Sequence, residues 1–227
     1  ISYFTLMSDA GLFDPIINFL IMAFVLFCIV KAMNKLMEMG KHEEPAAEEP
    51  AAPAAPTQEE LLADIIIDYL KRHGPECREM LARGWRLDNP PKVIKWIAQQ
   101  PDTDRGTILR LYWMMDPGYG KQFATIDECA EGHRWYVEEY DIIKTIERNY
   151  AEGFYRNVRY AFDPGNDGCK QGYDWTKTLE GYTMKDDIPQ EMFIPTNGTV
   201  ADTKGWADGV PPELKETISR LEELIDD

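Results

Sequence analysis

The chain has 227 residues, enough for one or two domains, and its 44% hydrophobic share with a mean hydropathy of -0.42 excludes a polytopic membrane protein. A net charge of -16 and a pI near 4.6 exclude a nucleic-acid binder, which needs a basic face; they suit plain solubility or a basic protein partner. Four scattered cysteines, Cys28, Cys77, Cys129 and Cys169, make no disulfide framework and fit a reducing cytoplasm.

The first predicted element dominates the chain. Between Ile16 and Val30 there is one polar side chain, Asn18, and no charge. With its flank from Gly11 the run reaches about 20 residues, or roughly 30 Å as a helix, the thickness of a bilayer's hydrocarbon core. It is apolar all round, which fits either a membrane span or the core helix of a large domain. The flanks favour the span: Asp14 and Pro15 precede it, Lys31, Lys35 and Lys41 follow, and positive flanks prefer the cytoplasm. A cleaved signal peptide would show the reverse order of charge. The chain starts at Ile1 without an initiator Met, so its natural beginning is expected upstream. Residues 1–12 would lie on the outer side. Residues 31–41 would continue the helix into the headgroup layer with snorkelling lysines, stopping at Gly40.

His42 to Pro56, HEEPAAEEPAAPAAP, is low-complexity and reads as a semi-rigid polyproline II linker. Thr57-Gln58-Glu59-Glu60 is a capping box, with Thr57 as N-cap and Glu60 at the third helical position. Leu61, Leu62, Ile65, Ile66, Tyr69 and Leu70 follow at helical spacing up to Gly74-Pro75. So wide an apolar face must pack on something, either the following domain or an oligomeric bundle, and the sequence leaves both open. Beyond Pro75 the spacing predicts helices over 76–83, after Pro90-Pro91, after a cap at Asp102 or Thr103, and from about His133 to Tyr155 with Trp135 inward. All six tryptophans lie after Glu76, so this half has its own aromatic core. Residues 163–209 read as loops with a possible hairpin, and Pro211-Pro212 opens a last amphipathic helix carrying Leu214, Ile218, Leu221, Leu224 and Ile225.

The pieces Phe19-Leu20-Ile21, Ala23-Phe24, Phe27, Lys31, Asn34-Lys35-Leu36, Glu43-Glu44-Pro45-Ala46-Ala47 and Thr57 to Leu62 stand in one order. In that order they resemble the second transmembrane helix and cytoplasmic tail of the bacterial large-conductance mechanosensitive channel family, over about residues 1–65. The resemblance implies a homopentamer in the inner membrane whose lipid-facing helix is this span, opened by bilayer tension as an osmotic release valve. It implies that Phe19, Phe24 and Phe27 face lipid, that Lys31, Asn34 and Lys35 anchor at the cytoplasmic surface, and that Thr57, Glu60, Leu61, Leu62 and Ile65 belong to the cytoplasmic helix. Two departures stand out. The family's pore-lining first helix has no counterpart after Ile1, and the chain runs about 160 residues past the point where the family usually stops. Trp85, Leu87-Asp88, Lys95-Trp96-Ile97, Pro101, Asp104, Gly106-Thr107, Leu109 and Trp113 resemble a family of uncharacterised bacterial domains.

No catalytic constellation emerges. Cys129 and His133 lie four apart but lack a C-x-x-C partner for zinc. Residues 163–174 only faintly echo a calcium loop, Gly165 standing where a ligand is needed, and read as a turn. Glu138, Glu139, Asp141 and Glu147 read as a solvated helix face. Gly118-Tyr119-Gly120-Lys121 lacks phosphate-loop spacing. The expectation is a mainly α chain without enzyme activity, cofactor or metal: a transmembrane helix with flanks (1–41), a Pro/Ala/Glu linker (42–56), a cytoplasmic helix (57–74) and an acidic, mostly helical soluble domain with an irregular C-terminal part (75–227). Its expected partners are membrane lipid, further copies of itself and a basic protein. The alternative is a membrane-tethered acidic binding module of the immunity-protein kind, without channel activity.

Overall fold

The computed structural model describes residues 56–86 and 89–223, together with Phe24, Phe27, Val30 and Lys31. The chain divides into two compact units, Ile1–Pro53 and Ala54–Asp227. In the first unit the four described residues are helical and exposed. The Lys31 ammonium lies over the Phe27 ring, 5.7 Å from its centroid, as residues four apart on one helix face allow. The remainder of the predicted span, with Phe19, Asn34 and Lys35, and the linker up to Ala55 lie outside the described residues. Among the described residues no helix is long and apolar enough to cross a membrane.

The second unit is mainly helical. Helix α1, Gln58–His73, begins at the Thr57 capping box and ends where Gly74, at φ 79, turns its N–H back to Leu70 O. Pro75 then opens α2, Pro75–Gly84, and Pro91 opens α3, Pro91–Ala98, each at a position whose N–H has no helical acceptor. The buried face of α1, formed by Ala63, Ile66, Ile67, Tyr69 and Leu70, packs on α2 and α3. Of the two readings the sequence left open for that face, the structure shows the following domain as its cover.

Helix α4, Arg105–Met114, is the central element: every residue from Gly106 to Met114 is buried. It is capped by Asp104, whose carboxylate accepts from Gly106 N at 2.8 Å. The expected caps have other tasks: Asp102 pairs with Arg78 at 2.7 Å and the Thr103 hydroxyl donates to Ile97 O. A Cβ on Gly106 would stand 2.2 Å from Tyr160 O, so only glycine lets the chain pass there. Short helices α5, Pro117–Gly120, and α6, Ile126–Gly132, lead to a 3-10 turn at Arg134–Tyr136 and helix α7, Val137–Ala151.

The long helix predicted to reach Tyr155 stops at Ala151 because Gly153 adopts φ 70, and Phe154 N turns back to Asn149 O at 2.9 Å. The 3-10 turn also corrects Trp135: Tyr136 takes the inward place and Trp135 points out, 69% exposed. From Glu152 to Pro211 the backbone is mostly irregular, with 3-10 turns at Gly168–Lys170, Trp175–Gly181 and Gln190–Phe193, isolated bridges and no strand among the described residues. Phe162 and Thr196 exchange backbone bonds at 3.3 and 2.9 Å, but pairing goes no further than such bridges. The last predicted helix starts as a 3-10 turn at Pro212–Leu214 and becomes α8, Lys215–Glu223, while Leu224 and Ile225 lie outside the described residues. One core runs from Ala63 in α1 to Ile218 in α8.

Candidate functional site

The residues singled out in the sequence fall in two places. Phe24, Phe27 and Lys31 belong to the first unit. Thr57, Glu60, Leu61, Leu62 and Ile65 belong to the second, at the start of α1. Thr57 Oγ1 accepts from Glu60 N at 3.2 Å, and Glu60 Oε2 accepts from Thr57 N at 2.8 Å, so two of the orphan donors of the helix end are satisfied. Leu62 and Ile65 rest against the common core.

Two buried ion networks went unnoticed in the sequence. Arg110, 2% exposed, meets Asp167 Oδ1 at 3.0 Å and Glu79 Oε1 at 3.7 Å, and its guanidinium covers the Phe162 ring at 4.7 Å. Asp167 also accepts from Trp175 Nε1 at 3.1 Å and Cys169 N at 2.9 Å. Burial works to raise the Asp167 carboxyl, but Arg110 and these hydrogen bonds outweigh it and hold it below the usual range. At Glu79 the balance falls the other way. Burial pushes its carboxyl up despite Arg110 and the Thr107 hydroxyl, which donates at 2.7 Å. The echo of a calcium loop is therefore a turn whose central acid holds an arginine, and among the described residues no group of three or more acidic, histidine or cysteine side chains could hold a metal ion.

The second network corrects the reading of Glu147 as part of a solvated face. It is buried, accepting from the Tyr112 hydroxyl at 2.6 Å and from Lys121 Nζ at 2.8 Å. Lys121, 1% exposed, also reaches Asp186 at 2.9 Å, and Lys144 bonds the same carboxylate. Burial tends to raise Asp186, but the bonds from Lys144 and Lys121 prevail and hold it at about 2. Lysine, tyrosine and glutamate together can move protons, but here each is held by the others. None of them lines the hollow of about 550 Å³ between Met184, Asp187, Ile188, Pro189, Gln190 and Phe193. These networks clamp the irregular segment to α2, α4 and α7. A charged residue inside an apolar run, as Arg110 is between Leu109 and Leu111, is a sequence signal for the first network; the second has none of that kind.

An aromatic cluster reaches the surface at Trp135. Around Tyr119 stand Tyr136, Trp135, Phe123, His133 and Tyr182, with ring centroids 4.6, 5.7, 5.8, 5.9 and 6.1 Å away. The Tyr182 hydroxyl donates to Asp116, which raises Tyr182 to about 12 and ties down a residue held at φ 51. Ile126, 43% exposed, lies on α6 beside this cluster in sequence.

Residues 5–71 match the family model described as Large-conductance mechanosensitive channel, and residues 73–151 match one described as a domain of unknown function, DUF4274. Curated proteins named large-conductance mechanosensitive channel match the first part. That of Latilactobacillus sakei is 56% identical over 57 residues, 25% of this chain and 41% of the relative. That of Cereibacter sphaeroides is 52% identical over 52 residues, 23% and 35%. That of Lacticaseibacillus casei is 39% identical over 74 residues, 31% and 52%. The chain thus spans roughly two-fifths of the length of the first two relatives. No solved structure matches it. Both resemblances drawn from the residues coincide with these matches, and the border between them falls at the end of α1.

Proposed function

We propose that the chain is a subunit of a tension-gated, poorly selective channel acting as an osmotic release valve, with an appended cytoplasmic domain. The observation that carries this reading is order: apolar run, N-K-L, E-E-P-A-A linker and T-Q-E-E-L-L helix follow one another inside the match over residues 5–71. On this reading residues 11–35 face lipid and Phe19, Phe24 and Phe27 couple the helix to the bilayer. Lys31, Asn34 and Lys35 hold it at the anionic inner leaflet. The subunits form a homo-oligomer, a pentamer by resemblance, in the inner membrane, and the 42–56 linker spaces the acidic domain into the cytoplasm. Tension favours an expanded state by work proportional to the added in-plane area, which is a population shift.

The test is to express the gene with whatever coding sequence lies upstream of Ile1 and record from membrane patches under suction. Currents that rise with tension, from a product extracted by detergent as an oligomer, are expected. A monomeric product that stays soluble without detergent overturns the reading. A second reading, a membrane-tethered acidic binding module, is favoured by one observation: Ala54–Asp227 is a compact unit with its own core. An uninterrupted gene without an apolar helix upstream of Ile1 would replace the first reading with the second.

A further inference from the structure

We propose that the hollow of about 380 Å³ between the start of α2 and residues 157–160 binds a free α-amino acid with an apolar side chain. The inference concerns the appended domain and holds whether or not the chain conducts. Pro75, Glu76, Asp104, Val158, Arg159 and Tyr160 line this hollow together, and its volume falls in the range of small-molecule sites. Its signature is a hydroxyl without a partner. Tyr160 is 3% exposed yet stands outside the common core, and its hydroxyl is buried with no hydrogen-bond partner. A buried polar group left unpaired costs free energy, which a ligand accepting its hydrogen bond restores. Burial raises the hydroxyl above its ordinary value, and the charges that act on it most are Glu76, which raises it, and Arg159, which lowers it. Both line the hollow, while the buried Glu79 acts less, so the hydroxyl lies on the hollow's side of the ring.

The charges beside the hydroxyl select the ligand. Arg159 and Glu76 face each other at 3.6 Å with side chains 65% and 56% exposed, so their pairing is worth little in water and either can exchange its partner. A molecule with an ammonium and a carboxylate on one carbon answers both. Its ammonium goes to Glu76, and its carboxylate accepts from Arg159 and from the Tyr160 hydroxyl. The other polar groups of the wall are engaged. Asp104 already accepts from the backbone N–H groups of Gly106, Arg159 and Tyr160, and Asn157 Nδ2 donates to Asp102 O at 2.7 Å. Helix α2 begins here without a side-chain cap, and its positive end adds to the pull on the carboxylate. A simple anion would meet the Glu76 carboxylate and a simple cation the Arg159 guanidinium, so neither fits as well as a zwitterion. Pro75 and the exposed Val158 supply an apolar wall for the side chain.

The test is equilibrium dialysis of the full chain in neutral detergent against tritiated L-leucine. Saturable binding is expected. Isovalerate and isoamylamine, which each keep one of the two charges, should compete about tenfold less well than unlabelled leucine. Tyr160→Phe removes only the hydroxyl and should weaken binding about tenfold. Glu76→Gln should weaken it by a similar factor and narrow the gap between leucine and isovalerate. Absence of saturable binding by wild type overturns the proposal, as does equal binding by wild type and Tyr160→Phe. Isovalerate that matches leucine on wild type would mean a plain anion site and overturns it too. Should Tyr160→Phe fail to melt like wild type, Val158→Trp fills the hollow from an exposed position, and unaltered leucine binding by that variant overturns the proposal equally.

Discussion

Arg110 sits inside the core against Asp167, equally buried, which meets it at 3.0 Å and accepts two further hydrogen bonds of its own. Removing one partner of such a pair leaves the other charge buried and alone. Asp167→Ala is expected to cost about 3–5 kcal/mol, read as a lower urea midpoint with unchanged slope. Asp186 makes a pH prediction. Its folded carboxyl sits at about 2 against an ordinary 3.8, so the unfolded chain takes up a proton first as the solution is acidified. The stability Asp186 contributes is therefore complete above its unfolded value and lost as pH falls toward 2. The difference in Tm between wild type and Asp186→Asn should be flat from neutral pH down to about 5 and shrink below about 4; a difference that grows on acidification would contradict the assignment. Helical periodicity shows neither network, although Arg110 between Leu109 and Leu111 points to the first. Periodicity sorts residues into apolar and polar faces, and it assigned Glu147 to the solvent because its neighbours Glu138, Glu139 and Asp141 do face outward in whole or part. What makes Glu147 different is Lys121, 26 residues away, and Tyr112, 35 away.

At the scale of the element, α1 shows which information is local. Its start was readable because a capping box is chemistry within four residues, and Thr57→Ala is expected to cost about 1 kcal/mol. Its apolar face was readable too, but not what covers it, since spacing describes one helix and the cover comes from α2 and α3. Ile66→Ala, within that face, should cost about 2–5 kcal/mol, clearly more than the cap; denaturant melts of the two variants decide the order. If Ile66→Ala cost no more than Thr57→Ala, α1 would not be seated in this core. The predicted helix ending at Tyr155 failed on one residue. Gly153 can take a left-handed conformation, and Tyr155 then leaves the helix axis to donate its hydroxyl to Ala98 O at 2.7 Å. Trp135 failed for a related reason, since a 3-10 turn advances each side chain by a different angle than the α-helix assumed for it.

For the molecule as a whole, Ala54–Asp227 should melt in a single transition when produced alone, whereas a piece starting at Pro75 should lose cooperative melting, because it lacks the side chains that Ala63, Ile66 and Leu70 place in the core. Differential scanning calorimetry of the two fragments tests this. Two cooperative transitions in the longer piece would mean that α1 is an appendage. The border between the two family matches, at residues 71 and 73, lies inside this unit, while the unit itself begins at Ala54. Helix α1 is thus channel-like by sequence and part of the domain by packing. A pull on the linker arrives first at Thr57, and α1 cannot unwind without vacating the space that Ile66 and Leu70 fill. The helix is accordingly a handle on its own domain: whatever draws α1 along draws with it the core that Ile66 and Leu70 fill.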